Sequence, residues 1–271
     1  MFKNVKHYIS VGLYRAKLSL QGQMEYPLFL VSWMIMVPLQ WFAGIFMLRL
    51  LVHRFHELQG WGFPQLAFLY GLSVISHGLM VTFFIRTWHM ESMIIHGEFD
   101  RMFLQPLNIF FQMTVHNINL IGVIDIIPGL IIFIYGCRSV SYEFSFKNIL
   151  SIIMVIIGGV LIRTAFYVFV GTISFWTKKN YALIDMGIKL MQYGTTYPLS
   201  IYPYFIQTLF TFLIPIGFIS FYPASEFLGM RGSFNLPLKP SLLTLLIGIT
   251  FFAASQIFFK IGLKSYESSG S

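Results

Sequence analysis

ILSIIMVIIGGVLIRTAFYVFVGTISFW, residues 149–176, carries a single charged side chain, Arg163. The run is longer than the ~20 residues an α-helix needs to cross a hydrocarbon core of ~30 Å. Both of its faces are apolar, which separates it from the ~10-residue alternating strands of a membrane barrel. Five further runs share its character, at approximately 28–51, 64–85, 113–136, 204–223 and 241–260. The expected fold is an all-α integral membrane protein in which six transmembrane helices form a single domain over residues 1–271.

Composition leads to the same place. Hydrophobic residues make up 56% of the chain and charged residues only 10%, where a soluble domain carries roughly 25% charge. Prolines mark several starts, at Pro27, Pro64, Pro203 and Pro240, where a missing N–H costs nothing and the fixed φ suits a first turn. The first run begins too late, and is too long, for a cleavable signal peptide, and is expected to stay as an anchor. With the N-terminus inside, eleven of the 18 basic residues fall in inside segments and six in outside loops. That asymmetry puts both termini in the cytoplasm. The net charge of +8 is scattered over loops on both sides, so membrane lipids, and not nucleic acid, are the expected partner of the basic residues. Cys137, the single cysteine, excludes an intramolecular disulfide and a thiol metal cluster.

Two segments on the cytoplasmic side are amphipathic. In residues 3–23, Val5, Ile9, Leu13, Ala16 and Leu20 recur at helical spacing, which predicts an interfacial helix within residues 1–26. Residues 177–192, with Ile184, Ile188 and Met191, predict a second surface helix on the same grounds.

The stretch HGEFDRMFLQPLN, residues 96–108, gathers His96, Glu98, Asp100 and Arg101 between two apolar runs. Its parent segment, 86–112, is far longer than the ~2 to 8 residues that join neighbouring helices. Residues 88–95 suit a short amphipathic helix, Gly97 breaks it, and Pro106 opens the approach to the third span. Catalytic readings find no support: there is no HExxH metal motif, no second ligand cluster beside His89, His96 and Glu98, and no GxSxG elbow. A contact for a protein partner is the expectation.

Three stretches carry a resemblance to a known family, the membrane subunits of ABC type-2 exporters, in the bacterial six-span branch without a fused ATPase. IIHGEFDRMFLQPLN (94–108) is similar to a family segment through Gly97, Phe99, Asp100, Phe103, Pro106 and Leu107, and departs from it at Gln105, where the family pattern has Arg. YPLSIYPYFIQTLFTFLIPIGFISFYPASEFLG (197–229) and the tail GLKSYESSGS (262–271) resemble two further stretches. The resemblance implies a permease domain in the bacterial inner membrane, not catalytic by itself. It implies pairing with a second permease subunit, as a homodimer or with a related chain, and two cytoplasmic ATPase subunits that bind ATP and Mg. No cofactor is expected in this chain, which has no GxxxxGK[ST] loop. Residues 86–112 would be the coupling segment, with Glu91, Gly97, Glu98, Asp100 and Arg101 as candidate contacts. Pro215 would bend a helix beside the translocation path.

Asp125 and Arg163 fall near mid-membrane, and each alone would cost at least ~2.5 kcal/mol to insert. Since the third span runs outward and the fourth returns, the expectation is a buried ion pair between them. A role in substrate or proton passage is the alternative, and would suit a secondary transporter or channel. His77, His116, Asn117 and Asn119 are expected to satisfy polar bonds inside the bundle. The many aromatics lean toward an amphiphilic or lipid-like cargo.

Overall fold

The structure is a computed structural model that describes residues 2–115 and 118–267; His116, Asn117 and the last four residues of the tail lie outside the described residues. The described chain is helical, with one isolated bridge between Leu58 and Trp61. In order, the helices are α1 (Phe2–Met24), α2 (Pro27–Phe55), α3 (Phe63–Phe84), α4 (Met90–Ile95), α5 (Glu98–Phe103), α6 (Ile109–Val115) and α7 (Leu120–Ser139). They continue with α8 (Phe146–Thr172), α9 (Ser174–Thr177), α10 (Tyr181–Thr196), α11 (Tyr204–Thr208), α12 (Phe221–Phe227) and α13 (Pro240–Lys264). The protein is an all-α membrane protein. Five helical stretches are long and apolar enough to cross a membrane among the described residues, and six if one bent pair counts as a single crossing.

Local chemistry sets many of the boundaries. Pro27, Pro64 and Pro240 sit in the first turns of α2, α3 and α13. The Asn119 side chain accepts from the Ile121 N–H at 2.8 Å, and the Ser145 hydroxyl from the Asn148 N–H at 3.2 Å, so both cap helices. The apolar run drawn at 113–136 is divided, because α6 ends before this cap and α7 begins after it.

α3 is the most buried helix and stands between α7 and α8. Its seam with α7 is built on glycines seven residues apart, Gly71 and Gly78 on α3 and Gly122, Gly129 and Gly136 on α7, each set against the other helix. Two helical turns span ~7.2 residues, so this spacing keeps one face small. A Cβ at Gly136 would lie 2.5 Å from the Phe68 backbone nitrogen, and one at Gly122 only 2.3 Å from that of Thr82. Between apolar helices in lipid, such close backbone approach supplies the van der Waals contact that burial from water cannot. Gly158 and Gly248 do the same for α8 and α13.

α10 corrects the expected surface helix at 177–192. Its Ile184, Gly187, Met191, Gly194 and Thr195 are buried, and it packs on α8 and α3. Asn180 bonds the Val170 and Gly171 carbonyls at the end of α8, and fifteen residues on Thr195 meets Arg163 in the middle of the bundle. One apolar face and one polar face describe a helix beside a polar interior as well as one on a surface, and Gly187 and Gly194 are what let this one in.

The run at 204–223 is not one straight helix. α11 continues as a π-turn (Leu209–Leu213), and the segments Tyr204–Leu213 and Ile216–Phe227 meet at a 77° bend. Pro215 causes the break: it offers no N–H, and it pushes the preceding Ile214 out of helical conformation, to φ −118° and ψ 94°. Tyr204 and Phe212 both pack on Phe234, in the loop that follows α12, while Glu226 at the other end holds the Ser241 N–H at 2.6 Å. Pro215 lines an apolar groove against Leu243 and Ile247 of α13.

Candidate functional site

Inside the bundle a cavity of about 570 Å³ lies among α2, α3, α7, α8 and α10. Its rim includes the exposed Phe29 and Trp33, and its interior walls include His77, Trp88, Asp125, Arg163 and Tyr167. The two membrane charges expected to pair therefore face one space, but they do not pair.

Asp125 is buried on α7, where its Oδ1 accepts the Trp41 indole N–H from α2 and its Oδ2 lies 3.9 Å from His77 Nε2 on α3. Trp41 is held by edge-on contacts with Tyr70 and His77. Arg163, 2% exposed, points from α8 toward α3 and α10. Its Nε donates to Ser76 Oγ at 3.1 Å; its Nη2 donates to Ser73 Oγ at 2.7 Å, the Ser73 carbonyl at 3.3 Å and Thr195 Oγ1 at 3.1 Å. The expected ion pair is corrected for a topological reason. Helices consecutive in sequence are not neighbours here, because α3 separates α7 from α8. Each charge is hydrogen-bonded to neutral groups instead, Arg163 through Nε and Nη2. Asn119 fulfils its expected polar role as the cap of α7.

A second construction lies at the end of the bundle that holds the last turn of α13. Gly97 adopts a left-handed φ of 62° between α4 and α5, which favours glycine. The Arg86 guanidinium pairs with Glu98 across this turn. Glu91 Oε2 accepts the Asn180 N–H at 2.6 Å, just before α10. Two of the candidate contact residues, Glu91 and Glu98, are thus engaged within the chain, while Arg101 is exposed. Asp100 lies beside Tyr266; burial first, and then this carboxylate, pushes the phenol up to about 12. Met90, Met93, Phe99 and Met102 form a small core with Val168, Phe175 and Phe259. The α4–α5 unit is therefore packed onto the ends of α8 and α13. Leu104, 85% exposed, projects from it.

α1 is fastened just beyond α5 and at the start of α7. Arg15 donates to Gln105 Oε1 at 2.5 Å, Gln23 donates to the Ile118 carbonyl at 2.7 Å, and Gln23 Oε1 accepts from the Leu120 N–H at 2.9 Å. Leu13, Tyr14 and Leu18 remain exposed on its outer side. A guanidinium therefore does stand at Gln105, supplied from α1. Reading the sequence alone missed Trp41, Trp88 and this Arg15 contact, since a tryptophan in a greasy run carries no separate signal. Tyr266 did have one, in the quoted tail.

A multi-pass helical bundle with an interior cavity that holds Asp125 and Arg163, and with a helical unit packed on one end, fits a membrane transport subunit. The family model described as ABC-2 family transporter protein matches residues 39–270. The chain belongs to that family. A comparison with curated proteins finds no match.

Proposed function

We propose that this chain is the permease subunit of an ATP-driven exporter, with ATP and Mg bound on separate ATPase subunits that dock on the α4–α5 unit. A second permease subunit completes the translocation path, and both termini face the cytoplasm of a bacterial inner membrane. The observation that carries this reading is the α4–α5 unit itself. It is turned by Gly97, clamped by Arg86–Glu98 and Glu91–Asn180, and packed through Phe99 onto Phe175 and Tyr266, so that a push on it is passed to α8, α10 and α13. A flexible connector would absorb such a push. Membrane subunits of this family generally work with ATPase subunits, which supports the partner class.

The test is co-expression with a neighbouring ATPase gene product and measurement of co-purification and transport. Asp100→Ala and Leu104→Asp should leave membrane insertion unchanged while weakening ATPase attachment or transport. Wild-type behaviour of both variants in both assays would remove the coupling role from this unit.

A further inference from the structure

The walls of the interior cavity are uneven in their hydrogen bonding. Its one carboxylate among the described residues, Asp125, accepts the Trp41 N–H. Its donors are left over. Arg163 spends Nε and Nη2 on Ser73, Ser76 and Thr195, and its Nη1 is in no hydrogen bond among the described residues. The Trp88 indole N–H is buried with no partner. Tyr167 lies between the two, one helical turn from Arg163 and edge-on to Trp88, and its hydroxyl is likewise in no hydrogen bond among the described residues. A guanidinium, 2% exposed and with Nη1 still without an acceptor, lines the same cavity as an orphan indole N–H. An unmet buried donor costs free energy, and an anionic acceptor relieves more of that cost than a neutral one.

Polar side chains, Gln40 and Gln192 among them, also line the cavity, but much of its wall is apolar, with Phe29, Trp33, Val81, Ile188 and Met191. We infer that the cavity takes an anionic amphiphile, its phosphate or carboxylate on Arg163 Nη1 and Trp88 Nε1 and its apolar part along Trp33 and Phe29. The inference rests on the permease reading and names the cargo class of the same path. Asp125 lines the same cavity and its carboxylate repels an anion there, which gives a test of sign.

The experiment uses the full chain in a non-ionic detergent and reads tryptophan fluorescence against three probes: dodecyl phosphate, dodecyltrimethylammonium and inorganic phosphate. Dodecyl phosphate should bind saturably and at least ~10-fold more tightly than either other probe. Arg163→Gln and Trp88→Phe should each weaken it by about 10-fold, the scale of one hydrogen bond to a charged group. Asp125→Asn, which keeps an acceptor for Trp41, should tighten it. Equal or tighter binding of the cationic probe overturns the inference, as does weaker phosphate binding by Asp125→Asn. Inorganic phosphate matching dodecyl phosphate overturns the amphiphile and points to a free-ion site. No nucleotide or ATPase enters this assay, so its failure leaves the permease reading to the coupling experiment.

Discussion

Trp41→Phe removes one N–H from the bundle and little else, since the phenyl ring can occupy much of the indole's place. That N–H is the one hydrogen bond made to the Asp125 carboxylate among the described residues, with His77 farther away at 3.9 Å. A hydrogen bond to a charged group contributes about 1.5–3 kcal/mol, and its loss leaves a buried acceptor unmet. Trp41→Phe should therefore destabilise the protein by about 1.5–3 kcal/mol. In an Asp125→Leu background the same substitution has no acceptor to strand, and its cost should fall below about 1 kcal/mol, the small apolar area lost. Arg163→Gln should keep most of its cost without Asp125, because the two side chains share no hydrogen bond and only their charges couple across the cavity. The assay is reversible unfolding in mixed detergent, followed by circular dichroism on the four corners of each cycle. Equal cost of Trp41→Phe in both backgrounds, or an Arg163→Gln cost that vanishes in Asp125→Leu, would refute the assignment of partners.

Other consequences follow from packing. Gly136→Ala forces a Cβ to within 2.5 Å of the Phe68 backbone and should destabilise by about 1–3 kcal/mol or more, whereas Gly22→Ala, with nothing within 4 Å, should stabilise α1 by up to ~1 kcal/mol; thermal unfolding of the two variants side by side checks both signs. Glu98→Ala strands the half-buried Arg86 and should cost about 1–3 kcal/mol, with faster limited proteolysis within 96–108 as the local readout. Tyr266→Ala removes ring contacts to Phe99, Phe103 and Phe175 and should loosen α4–α5 in hydrogen exchange while leaving the α3–α7 seam protected.

The apolar runs made the helical fold readable, because lipid imposes a length and a composition that little else satisfies. Neighbour relations were not readable in the same way. Asp125 and Arg163 match in depth along consecutive apolar runs, but depth carries no information about which helix stands between them, and α3 does. The signal that placed α3 there was present as glycines at 71, 78, 122, 129 and 136, a spacing that hydropathy averages away. α10 carries a single apolar stripe, which does not say whether its polar side meets water or a cavity. Pro215 was recognised as disruptive, yet only the extended Ile214 and the π-turn before it show a 77° break where a kink was expected. At the α4–α5 unit, Gly97 and the charged cluster were visible in sequence. Which charges face inward depended on Arg86 and Asn180, residues 12 and 89 positions away from their partners Glu98 and Glu91.

The central claim is that a separate ATPase bears on the α4–α5 unit, and site-directed cross-linking tests it most directly. Cys137 is the sole native cysteine and is buried, so Leu104→Cys in a Cys137→Ala background presents a single exposed thiol, with Phe144→Cys, in the loop at the opposite end of the bundle, as the control. In membranes co-expressing the ATPase, Leu104→Cys should cross-link to it through a short bifunctional maleimide, and Phe144→Cys should not. A transport-competent complex in which Leu104→Cys gives no cross-link, or in which Phe144→Cys cross-links instead, would contradict the account.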